Sequence, residues 1–251
     1  AARERGCGVI EIRDAFSPTY AKARVKFLEA AAAAGLAIRS HEHPLKGREG
    51  ETLAMDTALD GSPDAEQLLI VSSACHGAEG FCGSGVQVHA LHDAEWRAKA
   101  RDSGVAVLYI HALNPHGFSW LRRVTHENVD LNRNFQDFSG PLPVNEDYAD
   151  LHHLLLPDEW PPTAENEAAV RSWIARRGMT AFQAAITMGQ HRFPDGLFFG
   201  GTAPTWNNDT VRRVLREQAG RARRVAWIDL HTGLGPSGLG ERIFACRDDA
   251  A

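Results

Sequence analysis

Two short apolar runs with a helix-patterned segment between them constrain the fold of this chain more than any other feature. The runs cover residues 68–72 and 105–111, and the segment between them, residues 86–99, has helical periodicity. Alternating apolar strands and helices are typical of a sheet whose faces are covered by helices. We therefore predict an α/β domain.

The remaining periodic segments agree with this class. Residues 18–36 are predicted to form a helix, with Ser17 as its N-cap. Residues 37–43 and 52–59 flank a turn-rich stretch and are predicted to form a hairpin, and residues 225–230 are predicted to form a last strand. Three further helices are predicted, at residues 164–177, 180–191 and 210–221.

The composition is that of one globular domain of 251 residues, of which 43% are hydrophobic. The charges are interspersed and give a formal net charge of -5, so we predict neither a nucleic-acid-binding surface nor an anionic-membrane-binding one. The longest apolar stretch, residues 30–38, is far shorter than the roughly 20 residues that span a bilayer. Only residues 140–162 resemble a linker, so we treat residues 1–251 as a single domain.

The N-terminus and the cysteines favour a cytoplasmic protein. The first residues have no apolar core of the kind found in secretory signals. Cys7, Cys75, Cys82 and Cys246 are too scattered for a disulfide framework and are expected to be reduced thiols. We interpret Cys75 as a small buried residue at a strand end rather than as a nucleophile.

Polar clusters follow three of the predicted strands, and in open α/β sheets the ligand crevice lies beyond the carboxyl ends of the strands. The clusters are His76 with Glu79, residues 114–134, and His231. A catalytic zinc uses three nitrogen or carboxylate ligands, which two histidines and one glutamate supply. The glycines Gly77 and Gly80 are expected to permit an unusual backbone that lets both side chains converge. Alone, this spacing is also compatible with an ordinary histidine at a strand end.

The middle cluster, residues 114–134, has strong turn signals, three arginines and little hydrophobic periodicity. We predict a long loop, and long loops in compact domains are usually functional. The alternative is a solvated loop whose arginines merely pair with Asp130 or Glu127.

Four motifs occur in a fixed order over residues 68–235 and together resemble those of the zinc carboxypeptidases and their relatives, the succinylglutamate desuccinylases and aspartoacylases. In chain order they are His76-x-x-Glu79, Asn114-Pro115-x-Gly117-Phe118, Asp130-Leu131-Asn132-Arg133-Asn134-Phe135 and Asp229-Leu230-His231-Thr232-Gly233. The resemblance implies a three-layer α/β/α domain with a mixed, mostly parallel twisted sheet. It also implies that His76, Glu79 and His231 bind zinc.

The same resemblance implies roles for polar residues of the middle segment. Asn132 and Arg133 match the pair that grips the terminal carboxylate of the substrate, and Arg123 matches the arginine that stabilises the oxyanion, with Arg122 as a competitor. The chemistry agrees, because a guanidinium binds a carboxylate through two parallel hydrogen bonds and never loses its charge. An arginine near the metal can stabilise the oxyanion that forms when water attacks an amide carbonyl.

Two further residue groups are left with alternative interpretations. Asp229 lies two residues before His231, so it could hydrogen-bond the imidazole or serve only the strand. The aromatic residues near the loops could line a pocket, but we interpret them as core residues. They are Trp120, Trp206, Phe198 and Phe199.

The chain departs from the carboxypeptidase pattern at the general base. That family has a glutamate on a strand many tens of residues after the last zinc histidine, whereas only 20 residues follow His231 here. Glu241 comes too soon after His231, in a glycine-rich run, to take this role. We therefore expect a single carboxypeptidase-like catalytic domain over residues 1–251 that lacks its C-terminal part, with the base beyond residue 251.

The sequence thus predicts a zinc-dependent hydrolase that cleaves an amide bond next to a free carboxylate, with a small peptide as substrate. One alternative is a deacylase of N-acyl amino acids, of the aspartoacylase or succinylglutamate desuccinylase type. A second alternative is a metal-bearing module that binds carboxylates without cleaving them.

Overall fold

The computed structural model describes residues 10–233 and 235–244. The expectations for Cys7, Cys246 and the first nine residues lie outside this part of the chain. Within it, Cys75 and Cys82 are free cysteines, as expected.

Five strands form one sheet in the described part of the chain, in the order β1-β2-β4-β3-β5. Their bounds are β1 Ile38–Lys46, β2 Thr52–Asp60, β3 Gln67–Ser73, β4 Val105–His111 and β5 Arg224–Leu230. β3 pairs in parallel with both β4 and β5, whereas β2 pairs antiparallel with β1 and β4. The predicted α/β class with a mixed sheet is therefore confirmed, and the predicted hairpin supplies its antiparallel side.

Ten helices surround this sheet in the residues that the structure describes. Their bounds are α1 Ile12–Ala15, α2 Tyr20–Ala33, α3 Gly80–His92, α4 Ala94–Asp102, α5 Pro115–Ser119, α6 Leu131–Asn134, α7 Glu146–Leu155, α8 Ala164–Arg177, α9 Met179–Thr187 and α10 Trp206–Gln218. No helix in this part of the chain combines the length and the apolar character needed to cross a bilayer.

The core has two halves, one on each face of the sheet. Phe27 of α2 and Leu91 of α3 pack in one cluster with Tyr109 of β4. Val214 of α10 packs in the other cluster with Leu108, the neighbour of Tyr109 along the same strand. Because successive residues of a strand point to opposite faces, the sheet lies between two helical layers, as predicted.

Several element boundaries differ from the sequence prediction. The predicted helix at residues 86–99 is two helices, because the Asp93 side chain accepts a hydrogen bond from the backbone N–H of Trp96 at 2.9 Å and so begins α4. Thr19 rather than Ser17 caps α2, through its bond from the N–H of Lys22. The linker-like tract contains α7, which Asn145 caps at Tyr148 N–H.

The carboxyl ends of the three parallel strands lie side by side and carry the predicted polar clusters. β3 leads to His76, β4 leads to Asn114, and β5 leads directly to His231. The N–H of Asn114 donates to the carbonyl of Ala74 at 2.9 Å, which holds the first two ends together. Residues 114–134 were predicted to be one long loop, but the short helices α5 and α6 lie at its two ends, so the loop itself is shorter.

Candidate metal centre

His76 precedes a turn of 3-10 helix, Gly77–Glu79, which ends with Glu79 and directly precedes α3. This turn is tied to the middle loop, because the N–H groups of Gly77 and Ala78 donate to the carbonyls of Arg123 and Arg122 at 3.3 and 3.0 Å. The turn and the arginine-bearing loop therefore hold each other in place.

The glycines of this turn are needed for close packing and not for an unusual backbone, so the reason predicted for them was wrong. A Cβ at Gly77 would lie 2.0 Å from the carbonyl carbon of Gly117, and one at Gly80 would lie 2.6 Å from the Phe118 ring. Neither glycine has a positive φ; the left-handed residue is Ala74, with φ 59°. The turn is thus pressed against the backbone of α5.

The structure brings His76, Glu79 and His231 together, with donor atoms that all lie within 4.8 Å of one another. His231 Nδ1 lies 3.3 Å from Glu79 Oε2, and the two imidazole centroids are 5.0 Å apart. The N–H of Thr232 also donates to Glu79 Oε2 at 2.8 Å, which joins the end of β5 to the turn after β3.

The donor set fits a zinc ion. Two imidazoles and one carboxylate are the ligands of a common class of catalytic zinc site. His76 is 3% exposed, and its Nδ1 atom is buried without a hydrogen-bond partner. Such an orphaned polar atom is costly unless it has a ligand or a use.

A second set of donors, Cys75, Asp229 and His231, is equally compact but fits a metal less well. A cysteine binds metal as the thiolate, and burial raises the pKa of Cys75 well above its ordinary value. The Cys75 Sγ donates instead to Asn132 Oδ1 at 3.1 Å. His76, Glu79 and His231 are therefore the better metal site.

The electrostatics differ sharply between the two histidines. Burial lowers the pKa of His76 to about 4, so its ring is neutral. Hydrogen bonds to Asp229 and Glu79 raise the pKa of His231 to about 10. Burial also acts to raise the pKa of Glu79, but the hydrogen bonds from His231 and from Thr232 outweigh it and lower that pKa.

Asp229 is hydrogen-bonded to the imidazole, which was one of its two predicted roles. Its Oδ2 atom lies 2.6 Å from His231 Nε2, while its Oδ1 atom accepts from the hydroxyl of Ser72 at 2.6 Å. Ser72 in turn accepts from the indole N–H of Trp227 at 2.7 Å. This chain of bonds fixes His231 with Nε2 towards Asp229 and Nδ1 towards Glu79.

Arg123 lies at the same centre. Its Nη2 is 2.8 Å from His76 Nε2, and its Nη1 is 3.7 Å from Glu79 Oε1. Its Nε donates to Asp130 Oδ2 at 2.9 Å, so the predicted alternative of an Arg–Asp pair is present as well. Arg122, the competitor, contributes its backbone carbonyl to the turn.

Asn132 and Arg133 are adjacent in sequence but point to different places. Asn132 Nδ2 lies 3.2 Å from His76 Nε2, within the centre. Arg133 instead donates from Nε and Nη2 to the carbonyl of Thr187, at 3.2 and 2.5 Å. A guanidinium has five N–H groups, so the outer pair of Arg133 nitrogens keeps donors for another acceptor.

Two residues organise this centre more than the sequence indicated, since it named Asp130 only as a possible partner of an arginine and Phe198 only as a core residue or a pocket residue. Asp130 is fully buried and holds Arg123, accepts from the N–H of Asn132 at 3.0 Å, and lies 3.9 Å from His76 Nδ1. Its place in the same motif was the available signal. Phe198 has the Arg123 and Arg133 guanidiniums 4.9 and 5.5 Å from its ring centroid, and no local pattern predicts this.

Solved structures of three kinds of enzyme show a limited likeness to this chain. Carboxypeptidase A from Helicoverpa armigera matches over 86% of this chain and 46% of its own, at 12% identity and a TM-score of 0.46. A candidate succinylglutamate desuccinylase/aspartoacylase from Shewanella frigidimarina NCIMB 400 matches over 79% and 46%, at 19% identity and a TM-score of 0.37. A glutaminyl cyclase from Fimbriiglobus ruber matches over 39% and 40%, at 15% identity and a TM-score of 0.27.

The first two of these proteins are of the kinds that the four sequence motifs resemble. The matched part of this chain spans less than half the length of each of the three. Similarity this low does not show a function, which must be inferred from the residues of the centre itself.

No curated protein matches the chain. A family profile does match, and it covers residues 16–251 under the description "Protein of unknown function (DUF2817)". The chain therefore belongs to the DUF2817 family.

Proposed function

We propose that this protein is a zinc-dependent hydrolase of the carboxypeptidase type, which cleaves an amide bond next to a free carboxylate. The observation that carries the proposal is the convergence of His76, Glu79 and His231, with donor atoms within 4.8 Å, at a point that Arg123 also reaches. The substrates we propose are small peptides with a free C-terminus.

In this proposal His76, Glu79 and His231 hold the metal ion, and Asp229 orients His231. When bound, zinc would polarise the amide carbonyl and lower the pKa of a bound water towards about 7. A neutral imidazole is the form that binds a metal, and burial keeps His76 in that form. His231, whose pKa is raised, would release its proton when the metal binds.

Arg123 is proposed to stabilise the oxyanion. Its guanidinium is fixed by Asp130 and lies against two of the proposed ligands, so it requires little reorganisation as charge develops on the substrate oxygen. Donors that are already oriented are the most effective kind.

Arg133 is proposed to bind the substrate carboxylate together with Asn132, whose Nδ2 atom lies 3.2 Å from His76 Nε2. The carbonyl of Thr187 accepts from Nε and Nη2 and leaves Nη1 and the second N–H of Nη2 for the carboxylate. A carboxylate bound there would orient the neighbouring amide towards Arg123.

The experiment is a zinc determination and a hydrolysis panel on the full-length natural protein. The panel compares N-blocked dipeptides with N-acetyl and N-succinyl amino acids, each as the free acid and as the matching amide. We expect one zinc ion per chain and faster cleavage of free acids than of amides.

The His76→Ala variant should lose both zinc and activity, while His153→Ala, at an exposed position on α7, should keep both. Full zinc occupancy in His76→Ala would overturn the ligand assignment. Cleavage of N-acyl amino acids but not of dipeptides would favour the deacylase alternative. Carboxylate binding without any turnover would favour the binding module.

A further inference from the structure

Phe198 has a backbone conformation that bulky residues rarely adopt. Its φ is 50°, in the left-handed region that favours glycine. Strain of this kind persists only where the surrounding structure enforces it, and it concentrates at functional sites.

The backbone on both sides of Phe198 is held by hydrogen bonds. The Phe198 carbonyl accepts from Gln190 N–H at 3.2 Å, and Gly200 N–H donates to the Gln190 carbonyl at 2.8 Å. The carbonyl of Phe199 accepts from Asp130 N–H at 2.7 Å. The residue that follows Phe198 is therefore bonded to Asp130, which holds Arg123.

The loop that carries Phe198 is itself rigidly supported. The Gln190 side chain, 2% exposed, accepts from Phe193 N–H at 2.7 Å and donates back to the Phe193 carbonyl at 2.7 Å. The Tyr148 hydroxyl accepts from Leu197 N–H at 2.6 Å. These bonds supply the constraint that holds Phe198 in its left-handed conformation.

This conformation separates two adjacent phenylalanines. Phe199 is 5% exposed and belongs to the interior, whereas Phe198 is only half-buried. The Phe198 ring lies under both guanidiniums, with Arg123 Cζ 4.9 Å and Arg133 Cζ 5.5 Å from its centroid. An aromatic face attracts cations, so one ring holds two like charges near each other.

The two guanidinium carbons can lie no farther apart than the sum of those two distances. One amino-acid residue spans about 3.3–3.6 Å, and each guanidinium adds the length of a hydrogen bond. This upper limit is compatible with one residue reaching from an oxyanion at Arg123 to a carboxylate at Arg133. The Cα and side chain of that residue would lie beside the Phe198 ring, which is only partly buried.

We propose that Phe198 sets the spacing of Arg123 and Arg133 and forms the wall that selects an apolar side chain on the carboxylate-bearing residue of the substrate. This inference rests on the proposed function and names its substrate class. The interpretation of Phe198 as a core residue, made from the sequence, is replaced by that of a pocket wall.

The test compares wild type, Phe198→Gly and Phe198→Tyr on full-length protein. Glycine removes the ring and suits φ 50°, so that variant keeps the backbone without strain. Tyrosine keeps the aromatic face. The probes are N-acetyl dipeptides and N-acetyl amino acids whose carboxylate-bearing residue is glycine, alanine, leucine or phenylalanine, and circular dichroism verifies that each variant is folded.

We expect Phe198→Gly to reduce the preference in kcat/KM for leucine over glycine about tenfold or more, the scale set by apolar contacts in a pocket. Phe198→Tyr should retain the preference. The matched control is Phe135→Gly, which removes a second phenylalanine ring that lies near an arginine, with Arg212 Cζ 5.7 Å from its centroid. It should leave the preference unchanged.

Binding by isothermal titration calorimetry provides a second measurement, with N-acetyl-leucine and N-acetylglycine as ligands. One outcome is that wild type binds N-acetyl-leucine more tightly than N-acetylglycine, that Phe198→Gly loses this preference, and that no probe is hydrolysed. In that case the proposed activity fails, but the role of Phe198 stands. If Phe198→Gly changes all probes by the same factor, or changes none, the role of Phe198 is overturned. Absence of both binding and turnover would overturn both proposals.

Discussion

The Oδ2 atom of Asp229 lies 2.6 Å from the Nε2 atom of His231, and this bond directs the other imidazole nitrogen towards Glu79. Carboxylates that orient a metal-binding histidine usually contribute a further 10- to 100-fold in metal affinity. Asp229 lies near the end of β5 and His231 directly follows it, so the end of this strand places the two side chains together.

The Asp229→Asn variant should therefore bind zinc about 10- to 100-fold more weakly than wild type. The neutral amide lacks the negative charge with which the carboxylate stabilises and orients the His231 imidazole. Zinc affinity can be measured by competition with a chelating dye. Asp209→Asn, at an exposed position on α10, is the control, and equal affinities in the two variants would contradict the role of Asp229.

Arg133→Lys should raise KM for free-acid substrates about tenfold while it leaves kcat nearly unchanged. Lysine keeps the charge but loses the planar fork, and hydrogen bonds to charged groups contribute about 1.5–3 kcal/mol. The matching amide substrates should show no such change. Arg192→Lys, an exposed arginine near Phe193, serves as the control; a fall in kcat with constant KM would assign Arg133 a different role.

Gly77→Ala should destabilise the fold and abolish zinc binding. The added Cβ would meet the backbone of Gly117 at 2.0 Å, and backbone cannot give way as a flexible side chain can. Overpacking typically costs about 1–3 kcal/mol. Thermal melting and zinc content check the result against Gly140→Ala, where a Cβ has open space. Normal zinc content in Gly77→Ala would show that the turn tolerates displacement.

Protein stability should fall as the pH drops from 6.5 towards 4, because buried histidines resist protonation. Burial lowers the pKa of His111 to about 4, so between pH 6.5 and 4 the unfolded chain binds a proton that the folded chain does not. Each such histidine changes the free energy of unfolding by at most about 1.4 kcal/mol per pH unit. Above the pKa that the histidine has in the unfolded chain, its contribution no longer changes with pH. Burial lowers the pKa of His43 to about 4 as well.

The His111→Gln variant should thus show a flatter decline over this pH interval, with the part due to His43 still present. Denaturant unfolding at a series of pH values measures it. His153→Gln, at an exposed position, should leave the slope as in wild type. An unchanged slope in His111→Gln would contradict the link to burial.

Periodicity was enough to predict the strands and most helices, because apolar runs such as residues 68–72 are buried whatever the details of the loops. The hidden helix α7 was missed because prolines flank it. The break between α3 and α4 was missed because a single cap at Asp93 decides it.

The centre was harder to predict than the fold. The convergence of Glu79 and His231 depends on β3 and β5 being neighbours, a long-range pairing that no local pattern contains. The resemblance to carboxypeptidases supplied it. The contact of Phe198 with two arginines depends on one left-handed residue in a loop, which sequence patterns do not specify.

The last of the proposed ligands, His231, directly follows β5. Within the described residues β5 pairs only with β3, and Val225, Trp227 and Ile228 are about half exposed. A ligand that joins His231 to the turn after β3 would also fasten this strand, so amide exchange along β5 and metal affinity would be two measures of the same equilibrium.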